Sequence, residues 1–290
     1  MDIQHQSEEE AAHTSESVAN DSGLEPAVST HPDEGQKAKA TGCRRTLVIA
    51  LDKFILRLAK NWLTWLTVVA ILYVGVPFLA PVFMEYNMPG PANLIYGFYD
   101  KLCHQLTFRS WFLFGEQAYY PRERAGLHVR SFEEYASNEP FFEGLDVHTL
   151  DYPLLVAAGR FVGDDVMGWK VAYCQRDIAI YGSIALFCVV FGLLRRLGVK
   201  VPPLPFWAYI LFGLVPVGLD GGIQLLANPP YNGLGLAWYP IYESTPYLRT
   251  LTGALFGICS AWLALPYLEE SMDELAIEIS RKFARAGIEV

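Results

Sequence analysis

The sequence predicts an all-α membrane protein: a four-span transmembrane helix bundle with an extracytoplasmic insertion and a disordered N-terminal tail. Three observations carry that expectation. Apolar residues make up 52% of the chain and charged residues 18%, a charge content low for a water-soluble domain. Four long runs are almost free of charge, and about 20 apolar residues suffice for a helix to cross roughly 30 Å of hydrocarbon. Basic residues gather beside alternate ends of those runs, as expected of cytoplasmic flanks.

Residues 1–43 form the expected tail. Residues 1–36 hold nine Asp/Glu and no Lys or Arg, with few large apolar groups, so the segment cannot offset its ordering entropy by burial. The net charge of −9 is the tail's alone, and the rest of the chain balances to zero. An acidic chain without a basic patch argues against nucleic acid as a partner. The first 42 residues have no apolar core of a signal peptide, so the first span is expected to serve as its own insertion signal. Over residues 44–60, Leu47, Ile49, Phe54, Ile55 and Leu58 interleave with Arg44, Arg45, Lys53, Arg57 and Lys60. That pattern predicts a basic amphipathic helix on the cytoplasmic surface.

The predicted spans are residues 61–84, 171–194, 201–226 and 247–268. Between the first two, residues 91–170 predict an extracytoplasmic segment. Leu94, Ile95, Phe98, Leu102 and Leu106 give Pro91–Gly115 the spacing of an interfacial helix. An inserted subdomain follows, with helix-like pieces at Ser131–Ala136 and Leu154–Phe161. Residues 269–290 form a cytoplasmic tail with an amphipathic helix over 272–286. Arg44, Arg45, Lys53, Arg57 and Lys60 precede span one, Arg195, Arg196 and Lys200 lie between spans two and three, and Arg281, Lys282 and Arg285 follow span four. By the positive-inside rule both termini are expected in the cytoplasm of a bacterial cell, with the protein in its plasma membrane. Trp62, Trp65, Trp207, Trp238 and Tyr239 are expected as interface anchors. Pro77, Pro81 and Pro216 are expected to kink or end helices. Gly253 and Gly257, four apart, are expected to admit a close helix neighbour.

Chemistry is expected where unusual polar residues converge. Asp220 is the lone charge in its span, and a carboxylate in hydrocarbon is costly to keep. On the predicted topology, Cys103, His104, Gln105 and Arg109 precede the outer end of span two. Cys174, Arg176, Asp177 and Tyr181 occupy that end, Asp220 and Gln224 lie near the outer end of span three, and Glu243 and Arg249 open span four. Cys174, Asp177 and Tyr181 share a helix face by spacing, as do Asp220 and Gln224. Arg176 or Arg249 is placed to neutralise Asp177 or Asp220.

The ordered motifs Cys103-His104-Gln105-x-x-x-Arg109-Ser110, Phe112-Leu113-Phe114-Gly115, Cys174-x-Arg176-x-x-x-x-Tyr181, Asp220-Gly221-x-x-Gln224 and Arg249-x-x-Thr252-Gly253 with Phe256-Gly257 resemble an uncharacterised prokaryotic membrane-protein family, domain of unknown function 2085. The resemblance runs from about Asn93 to Leu268 and implies a small helical membrane protein with no assigned activity. Members often carry Cys-x-x-Cys where this chain has Cys174-Gln175-Arg176-Asp177, and a short link where it has Glu116–Trp169.

Several readings follow. Cys103, His104, Cys174 and Asp177 offer the donor types of a zinc site, although adjacent residues such as Cys103 and His104 rarely aim at one ion. Cys103 and Cys174 could instead form a disulfide on an oxidising outer face. The expected role is a structural or accessory subunit of a membrane assembly, with the lipid bilayer and other membrane subunits as partners. The alternative is a metal- or thiol-dependent membrane enzyme acting on a lipophilic substrate at the extracytoplasmic face, with Asp220, His104 or Glu243 as acid and base and Cys103 as nucleophile. A transporter fits less well, because four spans are few and no repeat is visible.

Overall fold

The computed structural model describes residues 42–227 and 242–288. Most of the expected acidic tail, together with Trp238 and Tyr239, lies outside the described residues. Among the described residues, four helical runs are long and apolar enough to cross a membrane: Trp62–Glu85, Gln175–Arg196, Phe206–Leu226 and Pro246–Arg285.

Helix α1 (Cys43–Lys60) leads directly into the first run. That run comprises α2 (Trp62–Gly75), a 3₁₀ turn at Val76–Phe78 that contains Pro77, and α3 (Leu79–Glu85). Trp62 is buried against Cys188, Phe191 and Leu265 and is therefore a packing residue, not an interface anchor, whereas Trp65 and Trp207 are exposed.

The third and fourth spans differ from expectation in their bounds. The third helix begins at Phe206, not at residue 201, because Pro202, Pro203 and Pro205 each disfavour α geometry in the residue before them and so keep 201, 202 and 204 out of the helix. It consists of a short helical turn α8 (Phe206–Ala208), a π-helical stretch at Tyr209–Leu214, and α9 (Val215–Ala227). Pro216 lacks the N–H that would reach back to residue 212, and the wider turn immediately ahead of it takes up the lost register. The fourth helix, α10 (Pro246–Arg285), does not stop near residue 268 but runs for 40 residues through Pro266. Its polar half, expected as a separate amphipathic helix, is stabilised by α1: Leu56, Ile279 and Phe283 form a small core there. Lys282 adds an ion pair to Asp52 at 2.6 Å.

The second transmembrane helix, α7 (Gln175–Arg196), packs on α10. Small residues make this possible. A Cβ on Gly253 would lie 2.7 Å from the Arg176 carbonyl, and one on Gly257 would overlap Ser183 and the Ile180 carbonyl. The expected glycine pair thus admits the neighbouring backbone, the form of close approach on which membrane helices rely for packing.

The segment between α3 and α7 is not all helical. Helix α4 (Pro89–Tyr99) ends well before Gly115, the bound expected from its periodicity. A three-stranded antiparallel sheet follows, ordered β1-β3-β2, from β1 (Ser110–Leu113), β2 (Gly163–Asp164) and β3 (Gly168–Cys174). Residues 171–174, expected as helix, are therefore strand; Val171, Ala172 and Tyr173 are buried on both faces of the strand, and such a run carries no period to separate strand from helix. Between β1 and β2 lie α5 (Phe132–Ala136), capped by Ser131, and α6 (Tyr152–Arg160), capped by Asp151. These match the two helix-like pieces read from sequence. Phe108, Phe112, Tyr120, Phe132, Phe142 and Leu154 form the core of the insertion. A buried pair, Arg122–Glu133 at 2.6 Å, ties its loops, and Arg122 also donates to the carbonyls of Val147 and His148.

Gly257→Leu is expected to force α7 and α10 apart and to lower stability by about 1–3 kcal/mol through overpacking. Gly222→Ala, where a Cβ meets nothing within 4 Å, is expected to be neutral or slightly stabilising. Thermal unfolding of both variants in detergent checks the contrast.

Candidate functional site

The pairing of β1 with β3 sets Ser110 opposite Cys174, at the start of α7. Arg109 of the insertion is thereby brought to the end of the bundle where α9 and α10 also present their polar residues. The structure resolves the expected single cluster into neighbouring groups of different chemistry.

The first is an ion-pair network. Arg176 donates to Asp220 Oδ2 at 2.5 Å, Tyr242 to Oδ1 at 2.8 Å, and Thr252 to Oδ2 at 3.3 Å. Glu243 Oε1 accepts from Gln224 at 2.6 Å, from Arg109 at 3.4 Å and from Arg249. Arg249 also donates to Gln175 Oε1 and to the Phe108 carbonyl, both at 3.3 Å, while Gln175 donates to the Ser110 carbonyl at 3.0 Å. Asp220, Gln224, Glu243 and Arg249 are all buried. The network therefore joins the insertion, α7, α9 and α10. Three guanidinium groups meet two carboxylates here, and the Nε atoms of Arg176 and Arg249 are buried without a partner.

The second group is Cys103, Cys174 and Asp177, whose ligand atoms all lie within 4.8 Å of one another and are half-buried. Cys174 caps α7: its sulfur accepts from the Asp177 amide and donates to Asp177 Oδ2 at 2.9 Å. Both cysteines are unbonded. The adjacent Cys103, then burial, then Asp177 push the Cys174 thiol well above its usual range. His104, offered by sequence as a fourth ligand, is exposed and stands outside this group; its neighbour Cys103 takes the inward position that His104 cannot share.

Tyr181 joins a third group. Its ring packs edge-on against Tyr73 with centroids 4.7 Å apart and stacks on Tyr173, and Tyr73 and Tyr173 share a hydrogen bond of 2.8 Å.

Gln105 belongs to a fourth, built around Lys170. The Gln105 backbone is left-handed, with φ of 46°, and its side chain donates to the Tyr96 carbonyl at 2.9 Å. That conformation turns the Gln105 carbonyl to Lys170 Nζ at 2.7 Å; the Gly159 carbonyl accepts from Nζ at 2.9 Å. Lys170 is fully buried, and burial pulls its amine down to about 7, against the opposing pull of Cys103 and Asp100. A neutral amine has two N–H donors, and these two carbonyls accept both.

Sequence reasoning missed Lys170 and Tyr242, and gave no site role to Gln175 or to Thr252. Lys170 was the one with a usable signal, being a lone charge between Gly168 and a buried apolar run; the other three are ordinary polar residues until a partner arrives.

Glu243→Gln removes the charge opposite buried Arg249 and is expected to cost about 3–5 kcal/mol. Arg130→Ala removes only exposed interactions, the pairs to Glu116 and Glu134 and the contacts with Tyr135, and is expected to leave the unfolding midpoint almost unmoved. Lys170 gives a pH signature. Its folded value near 7 lies below the ordinary 10.5, so between those values only the unfolded chain holds the proton. Stability is therefore expected to rise with pH across that window, by at most about 1.4 kcal/mol per pH unit, and to be independent of this group below it. Denaturant titrations of the wild type against Lys170→Met at several pH values isolate the effect, since the methionine variant lacks that slope.

Comparison with known proteins agrees with this architecture. Residues 165–263 match the model of a family described as predicted membrane protein (DUF2085). An uncharacterized protein of the archaeon Methanocaldococcus jannaschii is 26% identical over 106 residues, which cover 36% of this chain. The chain spans 58% of that relative's length. No solved structure matches the chain. Lys170, Cys174, Asp177, Asp220, Glu243 and Arg249 lie inside the family match, whereas Cys103, His104, Gln105 and Arg109 precede it. The protein is thus an integral membrane protein whose residues 165–263 carry the DUF2085 family resemblance that its motifs imply.

Proposed function

We propose that the protein is a structural or accessory subunit of a membrane assembly, in which the ion-pair network holds the insertion on the helices. One observation carries this reading. Both carboxylates of the network are engaged by several protein donors: Asp220 by Arg176, Tyr242 and Thr252, and Glu243 by Arg109, Gln224 and Arg249. An acid or base that works on a substrate must be free to exchange its proton partner. A carboxylate clamped by several fixed donors serves as a tie between segments.

The basic flanks supply the orientation. Arg57 and Lys60 precede the first run, Arg195 and Arg196 end the second, and Arg281, Lys282 and Arg285 close the fourth. On this reading both termini lie in the cytoplasm and the insertion outside the plasma membrane.

The test uses chromosomal variants of the full chain in a host that makes it. Under this reading, Asp220→Asn and Glu243→Gln are expected to support the host in proportion to the amount of protein that reaches the membrane. A variant present at wild-type level that fails to support the host would instead mark the carboxylate as chemically active and overturn the reading. In the same strains, a reporter fused after Val290 is expected to report cytoplasm and one inserted after Glu143 the outside; the reverse result refutes the orientation.

A further inference from the structure

The ion-pair network leaves the side chains of Cys103, Cys174 and Asp177 unused. We propose that they bind a thiophilic divalent metal ion of the zinc class at the border of the membrane-spanning helices. The proposal is independent of the accessory role argued above.

The donor set is the first argument. Two thiols and a carboxylate are ligands suited to zinc, and they come from two places far apart in the chain: the turn after α4, and the junction of β3 with α7. Their ligand atoms already lie within 4.8 Å of one another. In a tetrahedral zinc site, bond lengths of roughly 2.3 Å to sulfur and 2.1 Å to oxygen put ligand atoms about 3.6–3.8 Å apart. The set therefore needs only small side-chain rotations to close around an ion.

The second argument is that the backbone holds the set in place. Cys174 is fixed at the end of β3 and as the cap of α7, and Asp177 occupies the first turn of that helix. Cys103 is held by its amide, which donates to the Tyr99 carbonyl at 2.9 Å. Helix α4 is in turn fastened to β3 by the Tyr96 hydroxyl, which donates to the Lys170 carbonyl at 2.5 Å.

The third argument separates a metal from a disulfide. A bond between the two sulfurs would use Cys103 and Cys174 and leave the Asp177 carboxylate, half-buried, against a group that attracts no anion. An ion uses all three. Three protein ligands leave one vertex of a tetrahedron for water or another molecule, the coordination of sites in which zinc polarises a bound group.

The experiment is metal analysis of the full-length protein, purified in detergent without chelator or reductant. About one equivalent of zinc-class metal per chain is expected. Exchange for cobalt(II) is expected to give the near-ultraviolet charge-transfer absorption of thiolate ligation, lost in Cys103→Ser and in Cys174→Ser, with Asp177→Asn weakening cobalt binding at least about tenfold. Because those variants could fold poorly, the wild type carries a second measurement. Metal is expected to protect Cys103 and Cys174 from alkylation, read by peptide mapping, and chelator to expose both. A Cys103–Cys174 disulfide in protein whose thiols are trapped directly in membranes would overturn the proposal. So would metal-free protein that gives no thiolate band with cobalt, or metal content unchanged when both cysteines are serine.

Discussion

The buried guanidinium of Arg249 is the constraint around which the rest of this structure is arranged. The residue is 2% exposed, and an ion taken out of water must be matched by charge and by hydrogen-bond acceptors or the fold does not tolerate it. Glu243 supplies the charge, and Gln175 and the Phe108 carbonyl supply acceptors. These partners belong to the approach to α10, to α7 and to the insertion. No one of those segments satisfies Arg249 alone, so their docking is a condition of burying it. The apolar core of the insertion, with Phe108 at its heart, and the helix bundle are thus coupled through one side chain.

The same requirement accounts for the glycines of α10. Arg249, Gly253 and Gly257 recur at four-residue spacing along one face of the helix. The two glycines let α7 approach until its Arg176 carbonyl is nearly in contact with α10. At that separation the Arg176 side chain reaches across to Asp220 on α9. With a larger residue at either position the helices would part, and the Arg176–Asp220 pair, together with the Thr252 hydroxyl that supports it, would have to stretch. Close packing and ion pairing here are two aspects of one geometry, and both act where water is scarce and a lost partner is not replaced.

How much of this was legible in the sequence follows from what each residue costs by itself. Asp220 stands out because a carboxylate in an apolar run is expensive whatever surrounds it, and Arg176, Glu243 and Arg249 stand out for the same reason beside the other spans. Tyr242, Thr252 and Gln175 do not, because a neutral polar residue is unremarked until its partner is known. The spans themselves were readable from length and charge, but their ends were not. Val171 to Tyr173 is an apolar run buried on both sides, and such a run has no period to distinguish strand from helix; only the pairing with β1, set by residues 60 positions earlier, makes it a strand. The three prolines before Phe206 were visible as helix breakers yet lay inside a run judged by hydropathy alone. The extension of α10 past residue 268 depends on α1, a contact between the two ends of the described chain that no local pattern announces.

Four consecutive residues show how one helical turn sorts two chemistries. Cys174, Gln175, Arg176 and Asp177 open α7, and successive residues on a helix point about 100° apart. Cys174 and Asp177, three apart, share a face and meet Cys103. Gln175 and Arg176 point the other way, to Arg249 and to Asp220. On the second face guanidinium groups and carboxylates hold one another, which is the arrangement of a tie. On the first face, two sulfurs and a carboxylate with a like preference for a cation are gathered within reach of one another. Groups that repel when ionised are not held together by their own attraction; β3, α4 and the cap of α7 hold them. A fold that fixes such a set in place, a single turn away from a network in which opposite charges hold one another, has the geometry to receive a positive ion there.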